Sequence, residues 1–384
     1  MLKDKKRALL SMTIIIASVI LLAVHAMVLG WSYFAGSEYL GIGSFISVPE
    51  RVLVTAALCV AWAGLAACIT AWAKPRELKL LSATAFLASV VSCTAAAIEN
   101  RVGSWLLIGN MQIYAPALTY LSWLFFALLI QNYHWFSARR ILLLSLDLFF
   151  LPMALHVFAM RSYASGIAYG AAYLCILMKL SHDGRIARPR LVLVLHAAVL
   201  LILIGGCLAT SGISLPVRTE VFLTQGTNDP YGNGWMYHHL ISALRQTPFV
   251  GETAYSIPAR AGTAIPAYLY FSSRDLGYAM AAFILKYGWI SLLVTLGAPC
   301  AIIVSAFRLP AASQSVSFQY YAFSVASLFA IRLILSLVST FMSFISGVFL
   351  LMGGNLTSAS VDLILCVCLV TLYPRKNNCE QNLF

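Results

Sequence analysis

The sequence predicts an all-α polytopic membrane bundle of about ten transmembrane helices, and three observations lead there. Of 384 residues, 61% are hydrophobic and only 10% are charged, against about 25% charged in ordinary soluble domains. The apolar residues come in blocks near the roughly 20 helical residues needed to cross ~30 Å of hydrocarbon. Lys and Arg gather in alternate connections between the blocks, as the positive-inside rule asks of short cytoplasmic loops.

Taken in chain order, the blocks are 9–31, 52–73, 79–98, 115–132, 141–160, 164–179, 191–209, 276–306, 320–345 and 356–373. All should be helices, because an open strand in lipid leaves backbone groups unpaired. The first follows Lys3, Lys5, Lys6 and Arg7. It is longer than the about 7–15 apolar residues of a signal peptide and lacks a clear small-residue cleavage site, which makes it an uncleaved first helix. The inner connections then hold Lys74, Arg76 and Lys79, next Arg139 and Arg140, next Lys179, Arg185, Arg188 and Arg190, next Arg308, and finally Arg375 and Lys376. The short outer loops hold only Arg51, Arg101 and Arg161. Both termini are therefore expected in the cytoplasm, with residues 1–384 forming a single membrane-embedded domain. The net charge of +12 reads as a topology signal that favours anionic membrane lipid rather than as a nucleic-acid footprint. The nine cysteines fall in spans or the inner tail, where they cannot build an outer disulfide framework.

One connection breaks the pattern. Residues 210–275, between spans seven and eight, form a large extracytoplasmic loop rich in Gly, Pro, Asn and aromatic residues. Loops well beyond about 12–15 residues are usually functional or disordered, and the aromatic content argues against disorder. Within it, Trp235 to Gln246 has helical spacing, with Met236, Leu240 and Leu244 on one face, suited to a helix lying at the outer membrane surface. His238 and His239 are adjacent, so on a helix they point about 100° apart, which suits interfacial aromatics better than a metal pair.

Four charges fall inside the predicted spans away from their ends, each costing at least about 2.5 kcal/mol if unpaired at a helix centre. At ~1.5 Å per residue, Asp147 lies roughly 10 Å and Lys286 roughly 12 Å from the inner surface, with Arg332 at about 18 Å and Asp362 at about 21 Å. Matching depths pairs Lys286 with Asp147 and Arg332 with Asp362.

Four segments in this layout resemble the SEDS family (shape, elongation, division and sporulation; the FtsW/RodA/SpoVE type). Asn228-Asp229-Pro230-Tyr231-Gly232-Asn233-Gly234-Trp235 resembles the family's Asp-Pro-x-Gly-x-Gly-Tyr in the same loop. Asn100 to Gly109, with Trp105, resembles its Asn-Gly-Ala-Arg-Arg-Trp-Ile-x-Leu-Gly. Arg274-Asp275, followed by Tyr287-Gly288-Trp289, resembles the segment that opens the family's eighth helix. Gly347 to Ser358 stands where the family has a Ser-Tyr-Gly-Gly-Ser-Ser stretch. The chain departs from the family at Gly103 and Ser104, at Tyr114-Ala115-Pro116-Ala117 and at Arg161-Ser162-Tyr163-Ala164.

The resemblance implies a peptidoglycan glycosyltransferase of the bacterial inner membrane. Such an enzyme polymerises lipid II, the lipid-linked peptidoglycan precursor, with a class B penicillin-binding protein as partner. Joining a hydroxyl to an anomeric carbon that bears a pyrophosphate needs a carboxylate to take the proton and cations to hold the departing phosphate. A divalent cation is a candidate cofactor for the second task. The outer acids are Glu38, Glu50, Glu99, Glu220, Asp229, Glu252 and Asp275. Asp275 is the candidate base. Trp105, Asp229, Arg218, Arg245, Arg260 and Arg274 are the candidate substrate-binding residues. Asp229 before Pro230 is equally an ordinary turn residue, and Asp275 after Ser272-Ser273 equally suits the start of a helix. Two other classes stay open: a non-catalytic scaffold of a cell-envelope complex, and a transporter or ligase of lipid-linked glycans. Transporters tend to break helices near mid-membrane, and the nearest such signals, Gly205-Gly206 and Gly353-Gly354, lie towards span ends.

Overall fold

A computed structural model describes residues 2–39, 48–72, 75–99, 105–108, 111–131, 135–160, 162–210, 224, 227, 234–258, 264–274, 278–309, 315–342 and 356–372. The chain is a polytopic helical bundle. Its helices are α1 (Leu2–Tyr39), α2 (Val48–Trp72), α3 (Pro75–Glu99), α4 (Ala115–Ile130), α5 (Ala138–Phe158), α6 (Tyr163–His182) and α7 (Pro189–Thr210), followed by the short helices α8 (Trp235–Arg245), α9 (Ala267–Arg274) and α10 (Ala279–Tyr287). The bundle is completed by α11 (Trp289–Arg308), α12 (Val316–Met342) and α13 (Leu356–Thr371). Among the described residues, seven of these are long and apolar enough to cross a membrane, and α4, α7 and α13 are shorter apolar helices. All ten coincide in position with predicted spans.

Polar side chains within the apolar helices are mostly satisfied by their own backbone. Thr13, Ser82 and Thr94 each donate to the carbonyl four residues back, at 2.9, 2.7 and 2.9 Å, a local solution available where no water is at hand. The centre is built on α6 and α12, which pack on each other. α12 also meets α4 and α11, while α2 packs against α13 and α1. Gly166 and Gly170 let α6 come close: a Cβ there would stand 3.0 Å from His156 Cβ and 2.8 Å from Leu200 Cδ1. Small residues serve this role in lipid, where close backbone approach replaces a hydrophobic drive.

The structure departs from expectation in three places. The eighth span is not one helix over 276–306. It breaks at Gly288, whose φ of 87° is open to glycine and costly for other residues. The membrane segment proper is α11, so Lys286 lies before its first residue and pairs with Glu252 rather than Asp147. The fifth span carries π-helical turns at Leu146–Phe150 and Leu155–Ala159 on either side of Pro152. Pro152 has no N–H to offer the Leu148 carbonyl, and the Tyr169 hydroxyl donates to that carbonyl instead, at 2.5 Å. Finally, residues read as plain loop form two hairpins, β1 (Trp105–Ile108) with β2 (Met111–Tyr114) and β3 (Ser256–Pro258) with β4 (Ala264–Pro266).

Candidate functional site

The end of the bundle beyond Thr210 of α7 carries α8, the β3–β4 hairpin, α9 and α10. The helix α8 forms where the sequence spacing placed it, but its apolar face turns into the protein rather than into lipid. Tyr237, Leu240, Ala243 and Leu244 are buried, and the last three join the main core. The Tyr237 hydroxyl donates to the Phe341 carbonyl at the end of α12, at 2.9 Å. Thr247 and Thr253 both donate to the Ala243 carbonyl, at 2.8 and 3.2 Å, satisfying a backbone group that the helix end leaves over.

The next residues repair the break at Gly288. The amides of Gly251 and Thr253 donate to the Tyr287 and Leu285 carbonyls at the end of α10, at 3.0 and 2.8 Å. The carbonyls of Pro248 and Phe249 accept from the first amides of α11, Trp289 and Ile290, at 3.2 and 3.0 Å. Segment 248–253 therefore caps both helix ends at the corner, and a Cβ on Gly288 would stand 2.6 Å from the Phe249 oxygen.

A charge and a ring cluster close the same corner. Lys286 donates to Glu252 at 2.6 Å and lies 4.3 Å from the centre of the Tyr268 ring on α9. Burial alone would lower the Lys286 ammonium, but the Glu252 hydrogen bond and Tyr268 outweigh it and hold its pKa above the usual value. Trp31 of α1 meets Tyr268 edge-on at 5.4 Å, stacks on Phe283 at 6.1 Å and tilts against Tyr287 at 5.9 Å. Beside it, His239 Nδ1 and the Tyr255 hydroxyl share a hydrogen bond of 2.6 Å, and Trp235 packs edge-on against both His239 and Tyr270. Burial, and then His238, lower the His239 pKa, so this ring is neutral at physiological pH.

The β1–β2 hairpin lies between α3 and α4 and packs against α3 and α13. In its register Trp105 stands opposite Tyr114. The Tyr114 amide donates to Thr357 Oγ1 at 3.1 Å, and its hydroxyl bonds Ser162 at 2.8 Å and Ser165 at 3.2 Å. Deeper in the bundle, Arg332 of α12 pairs with Asp362 of α13, as depth matching predicted, with Tyr120 beneath the guanidinium at 5.2 Å. Asp147 is exposed on its π turn, and Lys286 takes Glu252 instead.

Of the predicted site residues, Trp105 falls in β1, Arg245 is exposed in the last turn of α8 and Arg274 ends α9. Asp229, Asp275, Arg218 and Arg260 lie outside the described residues. Ser272-Ser273 belong to the end of α9 rather than to a helix start. Arg274 ends α9 and Ala279 begins α10, with 275–277 between them outside the described residues. Sequence reasoning missed the Glu252–Lys286 tie and the Gly288 corner. The Tyr287-Gly288-Trp289 triplet carried the only local sign of the latter.

No family model and no curated protein sequence matches the chain. Solved structures do. A chain of a peptidoglycan synthase complex that coordinates polymerization and crosslinking is 15% identical, with a TM-score of 0.62 over 93% of this chain and 96% of that one. The rod shape determining protein RodA of Thermus thermophilus is 12% identical, with a TM-score of 0.59 over 95% and 97%. A mutant form of that RodA gives 0.57 at 12% identity over 94% and 98%. The fold is that of the SEDS-type protein RodA across nearly the whole chain.

Proposed function

We propose that this chain is a divergent SEDS protein that polymerises lipid II in the bacterial inner membrane, with both termini cytoplasmic and the 210–275 loop outside. One observation supports the reading: the described parts of the segments that resemble the family lie at one end of the bundle. The hairpin containing Trp105 is bonded through Tyr114 to Thr357, which belongs to the Gly347–Ser358 stretch. α8, which begins at Trp235, is bonded to the end of α12, and the loop after it caps the Tyr287-Gly288-Trp289 corner.

At that end Asp275 takes the proton of the acceptor hydroxyl as its oxygen bonds the anomeric carbon. The carbon–oxygen bond to the diphosphate breaks, and the lipid diphosphate leaves into the bilayer. Arg218, Arg245, Arg260 and Arg274 supply the cations that hold the phosphates, for which arginine's fixed fork of donors is suited. Glu252 is already engaged by Lys286, so it is not the acid proposed for the acceptor hydroxyl. A class B penicillin-binding protein is the proposed partner.

The purified chain, alone or with that partner, should convert labelled lipid II into polymer. Failure in both settings contradicts the reading and leaves a scaffold. A cysteine at Asn233 should be labelled from the outer side only. The transporter reading is favoured by one observation, the π turns flanking Pro152 in α5, since π-bulges cluster at functional sites. Movement of lipid II across vesicles without polymer formation would support it.

A further inference from the structure

The helix α5 holds a charge that the proposed reaction leaves unused. Asp147 stands on the π turn Leu146–Phe150. It lies seven residues beyond Arg140, about 10 Å into the span from the end that Arg139 and Arg140 mark. The residue is exposed, and among the described residues no hydrogen bond or ion pair engages its carboxylate. The stripe it belongs to is apolar. Leu143, Leu151 and Phe158, 54%, 38% and 75% exposed, and the exposed Ala154 recur with it every three or four residues, with Leu146 alongside. That recurrence marks one face of a helix, with the spacing of the seam between two packed helices. The rest of α5 is covered: Ile141, Ser145, Leu148, Phe149, Pro152 and Met153 are buried, and the helix packs on α3, α6 and α7.

Lipid accounts for the leucines and Phe158 but not for the acid. An unpaired carboxylate at this depth is costly, which is why acids inside membranes face a partner or a wet cavity. The ammonium of a zwitterionic headgroup stays at the surface, about 10 Å away, and an anionic headgroup repels the carboxylate. The counter-charge therefore has to come from within the hydrocarbon, on a backbone that satisfies its own polar groups there, as a helix does. A second copy of this chain does not supply it. Among the described residues, Arg332 is the cation placed well inside a membrane helix, and it is buried against Asp362. Ala154 leaves room for another backbone to come close, the part small residues play where helices meet in lipid.

We propose that the 143–158 face of α5 docks the transmembrane helix of a second protein, which sets a Lys or Arg against Asp147 and apolar side chains against Leu143, Leu151 and Phe158. The site is independent of the polymerisation reading. The probe is a single-span Leu/Ala peptide of about 20 residues with one Lys about 10 Å from its end. It is reconstituted with labelled full-length protein in phosphatidylcholine vesicles, and binding is followed by energy transfer. The wild type should bind the Lys peptide about 3- to 20-fold more tightly than the same peptide with Leu in place of the Lys. Asp147→Leu should remove that preference, and Asp147→Lys should transfer it to a peptide with Glu at the same position. The melting temperature of Asp147→Leu should equal or exceed that of the wild type, because the change breaks no contact within the chain. The proposal is overturned if the Leu peptide binds the wild type as tightly as the Lys peptide, or if Asp147→Leu keeps the preference. A lower melting temperature for Asp147→Leu would assign the carboxylate to the chain's own fold. Energy transfer between two labelled copies that excludes the peptide would assign the face to a second copy. Either result overturns the proposal.

Discussion

Two ion pairs that tie one region of the chain to another differ in almost everything except chemistry. Arg332–Asp362 joins two membrane helices and is 5% and 0% exposed, whereas Lys286–Glu252 joins the loop after α8 to α10 and is 28% and 41% exposed. The buried pair is an obligation: removing either charge leaves the other in the bundle interior without its opposite charge. The exposed pair supplements a corner already held by four backbone hydrogen bonds and a ring cluster. In a membrane bundle, then, burial rather than bond type decides which pair the fold depends on.

That contrast can be broken by substitution. Asp362→Asn, which leaves Arg332 buried without its counter-charge, should cost about 3–5 kcal/mol and be read as a sharp fall in melting temperature in detergent. Replacing both partners, Arg332→Met with Asp362→Leu, should recover most of the loss. If the single and double variants behave alike, the pair is not the obligation described here. Gly288→Ala should cost about 1–3 kcal/mol, the range for a side chain forced into a strained backbone region, and should expose the 248–253 segment to protease. A normal melting temperature would show that the corner moves easily.

Glu252→Gln should cost only about 0.2–1 kcal/mol, because Lys286 keeps Tyr268. The sign of its pH dependence follows from the raised Lys286 pKa. The pair's contribution is complete below the unfolded lysine value of about 10.4 and disappears as pH rises through the higher folded value. The stability gap between wild type and Glu252→Gln should therefore be constant through neutral pH and close in strong alkali. A gap that closes near neutrality would contradict this.

The same contrast explains what could be read from the amino-acid order. Arg332 and Asp362 could be matched because both lie on uninterrupted helices, where residue number converts to depth and lipid forbids a lone charge. Lys286 defeated that reasoning because one glycine with a positive φ interrupts the count, moving the lysine out of the span and next to a loop acid with no calculable depth. The position of α8 was legible from its apolar spacing. The direction of its buried face was not, since a stripe of Leu and Tyr suits lipid and protein alike. Trp105 and Arg274 could be assigned to an outer end, but their placement in a hairpin and at a helix terminus depends on contacts with α13 and α1 far away in sequence. The π turns of α5 have a local cause in Pro152, but its consequence, the Tyr169 bond to Leu148, comes from another helix.

The most direct test of lipid II polymerisation at the outer end is the initial rate of polymer formation by the purified full-length wild type and by Asp275→Asn, with the melting temperature measured alongside. The substitution keeps size and polarity and removes the base. The rate should fall by about 10² to 10⁴, the range for general-base catalysis, with no change in melting temperature. An Asp275→Asn protein that elongates lipid II at the wild-type rate would contradict the account.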